Sequence, residues 1–200
     1  MRGAPNFLFV EVAQFSNRNF VYFAYCFLSR NLIYFNQPKE RKLKEMKKML
    51  CFDMDGTIAD LYRVDDWLKD LMNENPYPYT VAKPLCDMEE LNTVLNKLIE
   101  QGWEIRVISW LAKDSSNSYK SAVRDAKRTW LAKYNFPAHK VHLVEYGTTK
   151  ANCVRKHFEP GISNFILIDD NKSVRDGWHL GETIEPHEDL PTALWRLVED

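Results

Sequence analysis

Residues 49–57 read Met49-Leu50-Cys51-Phe52-Asp53-Met54-Asp55-Gly56-Thr57. An apolar run stops abruptly at two carboxylates, the pattern of a strand that runs into a functional loop. Residues two apart at a strand end project to one side, so Asp53 and Asp55 can address one metal or substrate. Gly56 permits a turn that residues with a Cβ resist. Two like charges this close are costly to bury unless a cation offsets them. A divalent cation is therefore implied, and Mg²⁺, which prefers oxygen ligands, is the expected one.

The same logic recurs more than a hundred residues later, where Phe165-Ile166-Leu167-Ile168 runs into Asp169, Asp170 and Asn171. Between the two, Ile105, Val107 and Ile108 predict another strand that ends at Ser109, and Thr148, Thr149 and Lys150 stand at the start of a predicted helix. Any one of these residues has an ordinary explanation. An Asp after a strand is commonly a turn or cap residue, Asp169-Asp170-Asn171 could simply cap the next helix, and a lone lysine is by default solvated, with Lys172 a rival for the role of Lys150. Only the ordered set outweighs those readings.

The series Asp53-Met54-Asp55-Gly56-Thr57, Ser109, Lys150 and Asp169-Asp170 resembles the four ordered motifs of the haloacid dehalogenase (HAD) superfamily of phosphohydrolases. The resemblance covers roughly residues 48 to 180. The stretch Ala126 to Tyr134 followed by Phe136-Pro137, with Leu167-Ile168-Asp169-Asp170 later, is similar to the 5'(3')-deoxyribonucleotidase branch and also to the phosphatase domain of phage polynucleotide kinases. The fold this implies is α/β, a three-layer Rossmann-like sandwich with a central parallel sheet and a small or minimal cap.

The resemblance also implies roles. Asp53 would be the nucleophile and form a phosphoaspartate, while Asp55 would protonate the leaving oxygen and then take a proton from water. Mg²⁺ would be held by Asp53, the main-chain carbonyl of Asp55 and Asp170, with Asp169 acting through water or by orientation. Thr57 and Ser109 would bind the phosphoryl oxygens, and Lys150 would neutralise developing charge, helped by a helix terminus if Thr148 or Thr149 caps it. The chain departs from the family pattern at Trp110, where a small or polar residue is usual. Trp110 is a candidate to stack on a base or sugar, with core packing the alternative.

From Lys48 onward the pattern alternates: strand 48–53, helices 63–74 and 87–101, strand 104–109, helix 117–134, strand 141–145, helix 149–158, strand 164–169 and helix 189–198. Such alternation predicts a parallel sheet with helices on both faces and a site beyond the carboxyl ends of the strands. About 45 residues separate Gly56 from Gly102 and must also supply a helix that packs on the sheet, so a large cap does not fit. Residues 59–87 are left for a small flap, with Tyr77 and Tyr79 as loop-packing residues or substrate contacts. On the helix at 117–134, Lys120, Arg124, Lys127 and Arg128 form a basic stripe opposite the apolar Ala122, Val123, Ala126, Trp130 and Tyr134. A basic stripe is ordinarily a solvated face; as a real site it would favour a nucleic-acid end as substrate.

A formal charge of −1 exerts no global pull toward nucleic acid or acidic membrane. The four cysteines, at 26, 51, 86 and 153, are too far apart for a metal knuckle and read as reduced thiols in a cytoplasmic protein. The five histidines show no ligand spacing. Residues 1–45 differ from the rest: the first 48 residues hold seven of the eleven Phe and no Asp. The expectation is an aromatic-rich extension outside the phosphatase domain at 46–200. A membrane tether is the alternative, with Lys39, Arg41, Lys42, Lys44, Lys47 and Lys48 at an acidic lipid surface, although Arg30 interrupts the apolar run.

The leading expectation is a Mg²⁺-dependent phosphomonoester hydrolase acting on nucleoside monophosphates. A polynucleotide-end phosphatase is the runner-up. A phosphoacceptor module of the receiver type uses similar residues but in another order, because there the lysine comes last. Dehalogenase or phosphonatase chemistry fits less well, since Asp55 suits a leaving oxygen that needs a proton.

Overall fold

The computed structural model describes residues 11–12, 23–24, 47–156, 162–187 and 189–199. The chain divides into two units, Met1–Leu43 and Lys44–Asp200. In the first, β1 (Glu11–Val12) pairs antiparallel with β2 (Phe23–Ala24). The choice between an extension and a membrane tether for residues 1–45 lies almost wholly outside the described residues. Among the described residues, no helix is long and apolar enough to cross a membrane.

The second unit begins with β3 (Lys47–Phe52) and a small excursion: β4 (Ala59–Asp60), a 3₁₀ turn at Leu61–Arg63, α1 (Trp67–Met72), α2 (Tyr77–Val81) and β5 (Lys83–Pro84). It continues through α3 (Met88–Glu100), β6 (Trp103–Trp110), α4 (Asn117–Lys133), β7 (Lys140–Val144) and α5 (Lys150–Lys156). The chain then forms β8 (Ile162–Ile168), α6 (Lys172–Asp176), β9 (Gly181–Ile184) and α7 (Leu190–Glu199).

Five strands form one parallel sheet in the order β7-β6-β3-β8-β9. This is an α/β, Rossmann-like arrangement, and its strand order reverses beside β3, where such sheets bind ligands. The period of two along β3 explains why its neighbours lie on both faces. Leu50 and Phe52 join a core with Ile105, Val107, Leu91 and Leu95 of α3, Trp130 of α4 and Leu194 of α7. Met49 and Cys51 face the other way, against Ile108, Ala151 and Val154 of α5, Leu167 and Trp178. Strands buried on both faces read as continuous apolar runs, which is why β3 and β8 are legible in the sequence.

Three expectations are corrected here. The helix predicted at 63–74 shrinks to α1, because Asp66 and Glu74 take positive φ values of 56° and 54° and interrupt the helix on either side. Tyr77–Val81 is helical rather than a plain loop. The fifth strand, β9, reads Gly-Glu-Thr-Ile and has no apolar run to announce it; it forms by pairing with the edge of β8, Phe165 opposite Gly181 through Ile168 opposite Ile184. The excursion after β3 is small. Its stem is the antiparallel β4–β5 pair, and Leu61 and Tyr79 pack with Tyr119 and Val123 of α4.

Gly181 has a second role in that pairing. A Cβ built there would lie 2.0 Å from the carbonyl oxygen of Phe165, and a backbone atom cannot swing aside. Gly181→Ala is expected to cost about 1–3 kcal/mol, read as a lower urea midpoint with unchanged slope.

Candidate active site

Four strand-end segments meet at the carboxyl edge of the sheet. The loop after β3 closes tightly on itself: the amides of Thr57, Ile58 and Ala59 all donate to the carbonyl of Met54, at 3.2, 3.0 and 2.9 Å. Gly56 makes the turn with φ of 77°. It is required for space as well as for conformation. A Cβ at this position would lie 2.4 Å from Cε2 of Tyr62 and 2.7 Å from Oδ2 of Asp170. Gly56→Ala is therefore expected to displace Tyr62 and Asp170 and to slow turnover at least about tenfold, measured as kcat alongside a melting curve.

Lys150 lies at the centre of the charged groups. Its side chain is 2% exposed, and Nζ lies 2.8 Å from Oδ1 of Asp53 and 2.5 Å from Oδ2 of Asp169. Burial works against its charge, but the two carboxylates outweigh burial and hold the ammonium above the usual lysine range. Lys172, the rival, lies at the surface and pairs with Asp176 at 2.7 Å.

Asp53, Asp169 and Asp170 bring carboxylate oxygens within 4.8 Å of one another. Burial, then the charges of Asp53 and Asp169, push the Asp170 carboxyl up to about 6. Three carboxylates brought this close repel one another unless a cation lies between them, and an all-oxygen set suits a hard divalent cation, so these residues fit Mg²⁺. Asp169 has one oxygen on Lys150 and accepts from the Asn171 amide at 2.9 Å with the other. Asn171 in turn caps α6, accepting from the amides of Ser173 and Val174.

Thr57 lies in the first loop, against the turn that follows β8. It is buried, and its hydroxyl donates to Oδ1 of Asp170 at 3.3 Å and accepts from the Asp170 amide at 3.2 Å. It thus ties the first loop to the last. Ser109 is also buried, with Oγ accepting from Nζ of Lys127 at 2.9 Å. Trp110 donates its indole N–H to the carbonyl of Thr148 at 2.8 Å and packs against Tyr146 at 4.9 Å between centroids. Thr148 contributes that carbonyl to the site.

The basic stripe is corrected. Lys120 and Arg124 both face Glu145, at 2.6 and 3.6 Å. Lys127 is fully buried and reaches Oδ2 of Asp55 at 2.5 Å. Its position was legible in one respect: it stands four residues after Val123 and three before Trp130, inside the apolar face of α4. Arg175 was also missed. Its Nη1 donates to the carbonyls of Asp169 and Asp170, both at 2.7 Å, and Nη2 pairs with Glu185 at 2.9 Å, so it holds the acidic turn from behind.

Asp55 is raised above the ordinary carboxyl range chiefly by burial, with Lys127 opposing and Asp53 adding to the rise. Beside Asp53 and Asp55 opens a cavity of about 380 Å³ lined by Tyr62, Trp67, Tyr79, Trp110 and Tyr146 among others. Tyr79 is buried in this wall, whereas Tyr77 is exposed and stands apart from it.

No family profile and no curated protein matches this chain. Among the solved structures that match is a D,D-heptose 1,7-bisphosphate phosphatase from Burkholderia thailandensis, 13% identical with a TM-score of 0.46, the match covering 76% of this chain and 99% of that one.

Proposed function

We propose that this chain is a Mg²⁺-dependent phosphomonoester hydrolase of the haloacid dehalogenase type, acting on nucleoside monophosphates. One observation carries the reading: Asp53, Asp55, Ser109, Lys150, Asp169 and Asp170, spread over more than a hundred residues, are drawn to one edge of the sheet, where Asp53 and Asp55 line a cavity with an aromatic wall.

In this reading a carboxylate oxygen of Asp53 attacks phosphorus in line as the ester P–O bond breaks, and the proton of Asp55 passes to the departing oxygen. The phosphoryl group is then an acyl phosphate on Asp53. Asp55, now a carboxylate, takes a proton from water as the water oxygen attacks phosphorus, which releases phosphate and restores Asp53. Lys150 holds the Asp53 carboxylate in place and offsets charge. Asp53 and Asp170, with Asp169 beside them, would hold Mg²⁺, which when bound neutralises charge on the phosphoryl oxygens.

The aromatic wall supports a nucleotide as the ester. Base–aromatic stacking contributes about 1–3 kcal/mol per base and tolerates any base. A polynucleotide end is less well supported, because Lys120 and Arg124 are matched by Glu145 and Lys127 is buried. The test is phosphate release from nucleoside monophosphates, sugar phosphates and a 3'-phosphorylated oligonucleotide, with Mg²⁺ or with EDTA. Mg²⁺-dependent turnover that favours mononucleotides is expected. Preference for the oligonucleotide would replace the substrate reading, and no release from any ester would sink the hydrolase reading.

A further inference from the structure

We infer that Lys127 is the positioning residue for the proton donor, holding the Asp55 carboxylate in register from an ammonium that is itself anchored at the end of β6. The inference rests on the hydrolase reading above. Lys127 is fully buried in the apolar face of α4, where a lysine is costly unless its charge is met and each N–H has an acceptor. It has three acceptors for three N–H groups: Oδ2 of Asp55 at 2.5 Å, Oγ of Ser109 at 2.9 Å and the carbonyl of Trp110 at 2.8 Å. The ring of Tyr79 lies 5.1 Å from the same nitrogen.

Two of those acceptors sit on the last two residues of a central strand, so the ammonium is fixed by the sheet. Asp55 sits on a loop and takes its place from Lys127. Oδ2 is held by the ammonium, which leaves Oδ1 as the oxygen to carry the proton to the ester. Ser109, already accepting from Lys127, keeps its own O–H to donate elsewhere, and a phosphoryl oxygen is the group its predicted role supplies. When the P–O bond breaks and the proton moves to the leaving oxygen, the carboxylate left on Asp55 is already paired with Lys127. No proton is required of Lys127 itself.

This role makes a selective demand. An alkoxide leaving group such as a nucleoside 5'-oxygen needs the proton, whereas a nitrophenolate leaves without it. Wild type and Lys127→Met are compared, at saturating Mg²⁺, on a nucleoside 5'-phosphate and on p-nitrophenyl phosphate. The nucleotide reaction is expected to lose about 10²-fold more in kcat than the nitrophenyl reaction. In an Asp55→Asn background, adding Lys127→Met should slow nucleotide turnover by less than about threefold, because the two act as one unit. That pair also removes both charges together, so it answers the question even where the single variant does not fold. Equal losses on the two esters, or a double variant far slower than Asp55→Asn alone, would overturn the positioning role while leaving the hydrolase reading intact. A wild type that turns over neither ester would overturn both.

Discussion

Asp53→Asn is expected to lower kcat at least about 10³-fold on every phosphomonoester the wild type accepts, while leaving the melting temperature unchanged or higher. The asymmetry follows from the geometry. Asparagine has the shape of aspartate, so the loop that closes on Met54 and the packing of Phe52 and Met54 are undisturbed. The charge that attacks phosphorus in the proposed mechanism is lost, but Lys150 keeps Asp169 as a partner at 2.5 Å. Removing Asp53 also relieves a charge that pushes Asp55, Asp169 and Asp170 upward. The check is steady-state phosphate release beside a thermal melt. Near-wild-type turnover would mean that another group attacks phosphorus, and a collapsed melt would mean that Asp53 is structural.

Lys150→Met is expected to fail in both respects. Lys150 meets Asp53 and Asp169 from a position almost sealed from water. Deleting one member of a buried ion pair leaves its partner uncompensated, at about 3–5 kcal/mol, so a clear drop in melting temperature accompanies the loss of turnover. A second substitution separates the two effects. In Lys150→Met/Asp169→Asn the remaining buried charge is reduced, and stability is expected to recover by more than half while turnover does not. The measurement is a double-mutant cycle on unfolding free energy with kcat recorded for each corner. If the double variant were as unstable as the sum of the singles, the pairing of Lys150 with Asp169 would have no energetic meaning.

The two variants differ because their residues hold different positions in one network. Asp53 is a carboxylate among carboxylates, so its neutralisation eases repulsion. Lys150 and Lys127 are the buried cations that let those carboxylates share a site at all, one at each side of the first loop: Lys150 on Asp53 and Asp169, Lys127 on Asp55.

Much of this was legible before any coordinates, and for a local reason. A strand covered on both faces must be apolar throughout, and a carboxylate directly after it lies at the sheet edge; Leu50 to Asp53 and Ile166 to Asp169 carry both facts in four residues each. The alternation of strands and helices along the chain therefore determined the α/β sandwich and the sheet edge to which these carboxylates come. Tertiary structure alone decided which partner each polar group meets. Lys127 reads as one of four basic residues on a helix, and only the packing of α4 against the first loop and β6 turns it from a solvated charge into the partner of Asp55. The motif singles out Thr57, and the approach of β8 beside β3 brings its hydroxyl to Asp170. The polar strand β9 exists because β8 offered an edge. Sequence specifies which groups are apolar and where the carboxylates stand along the chain; hydrogen bonds and ion pairs between distant segments depend on separations of a few tenths of an ångström, which only the folded chain sets.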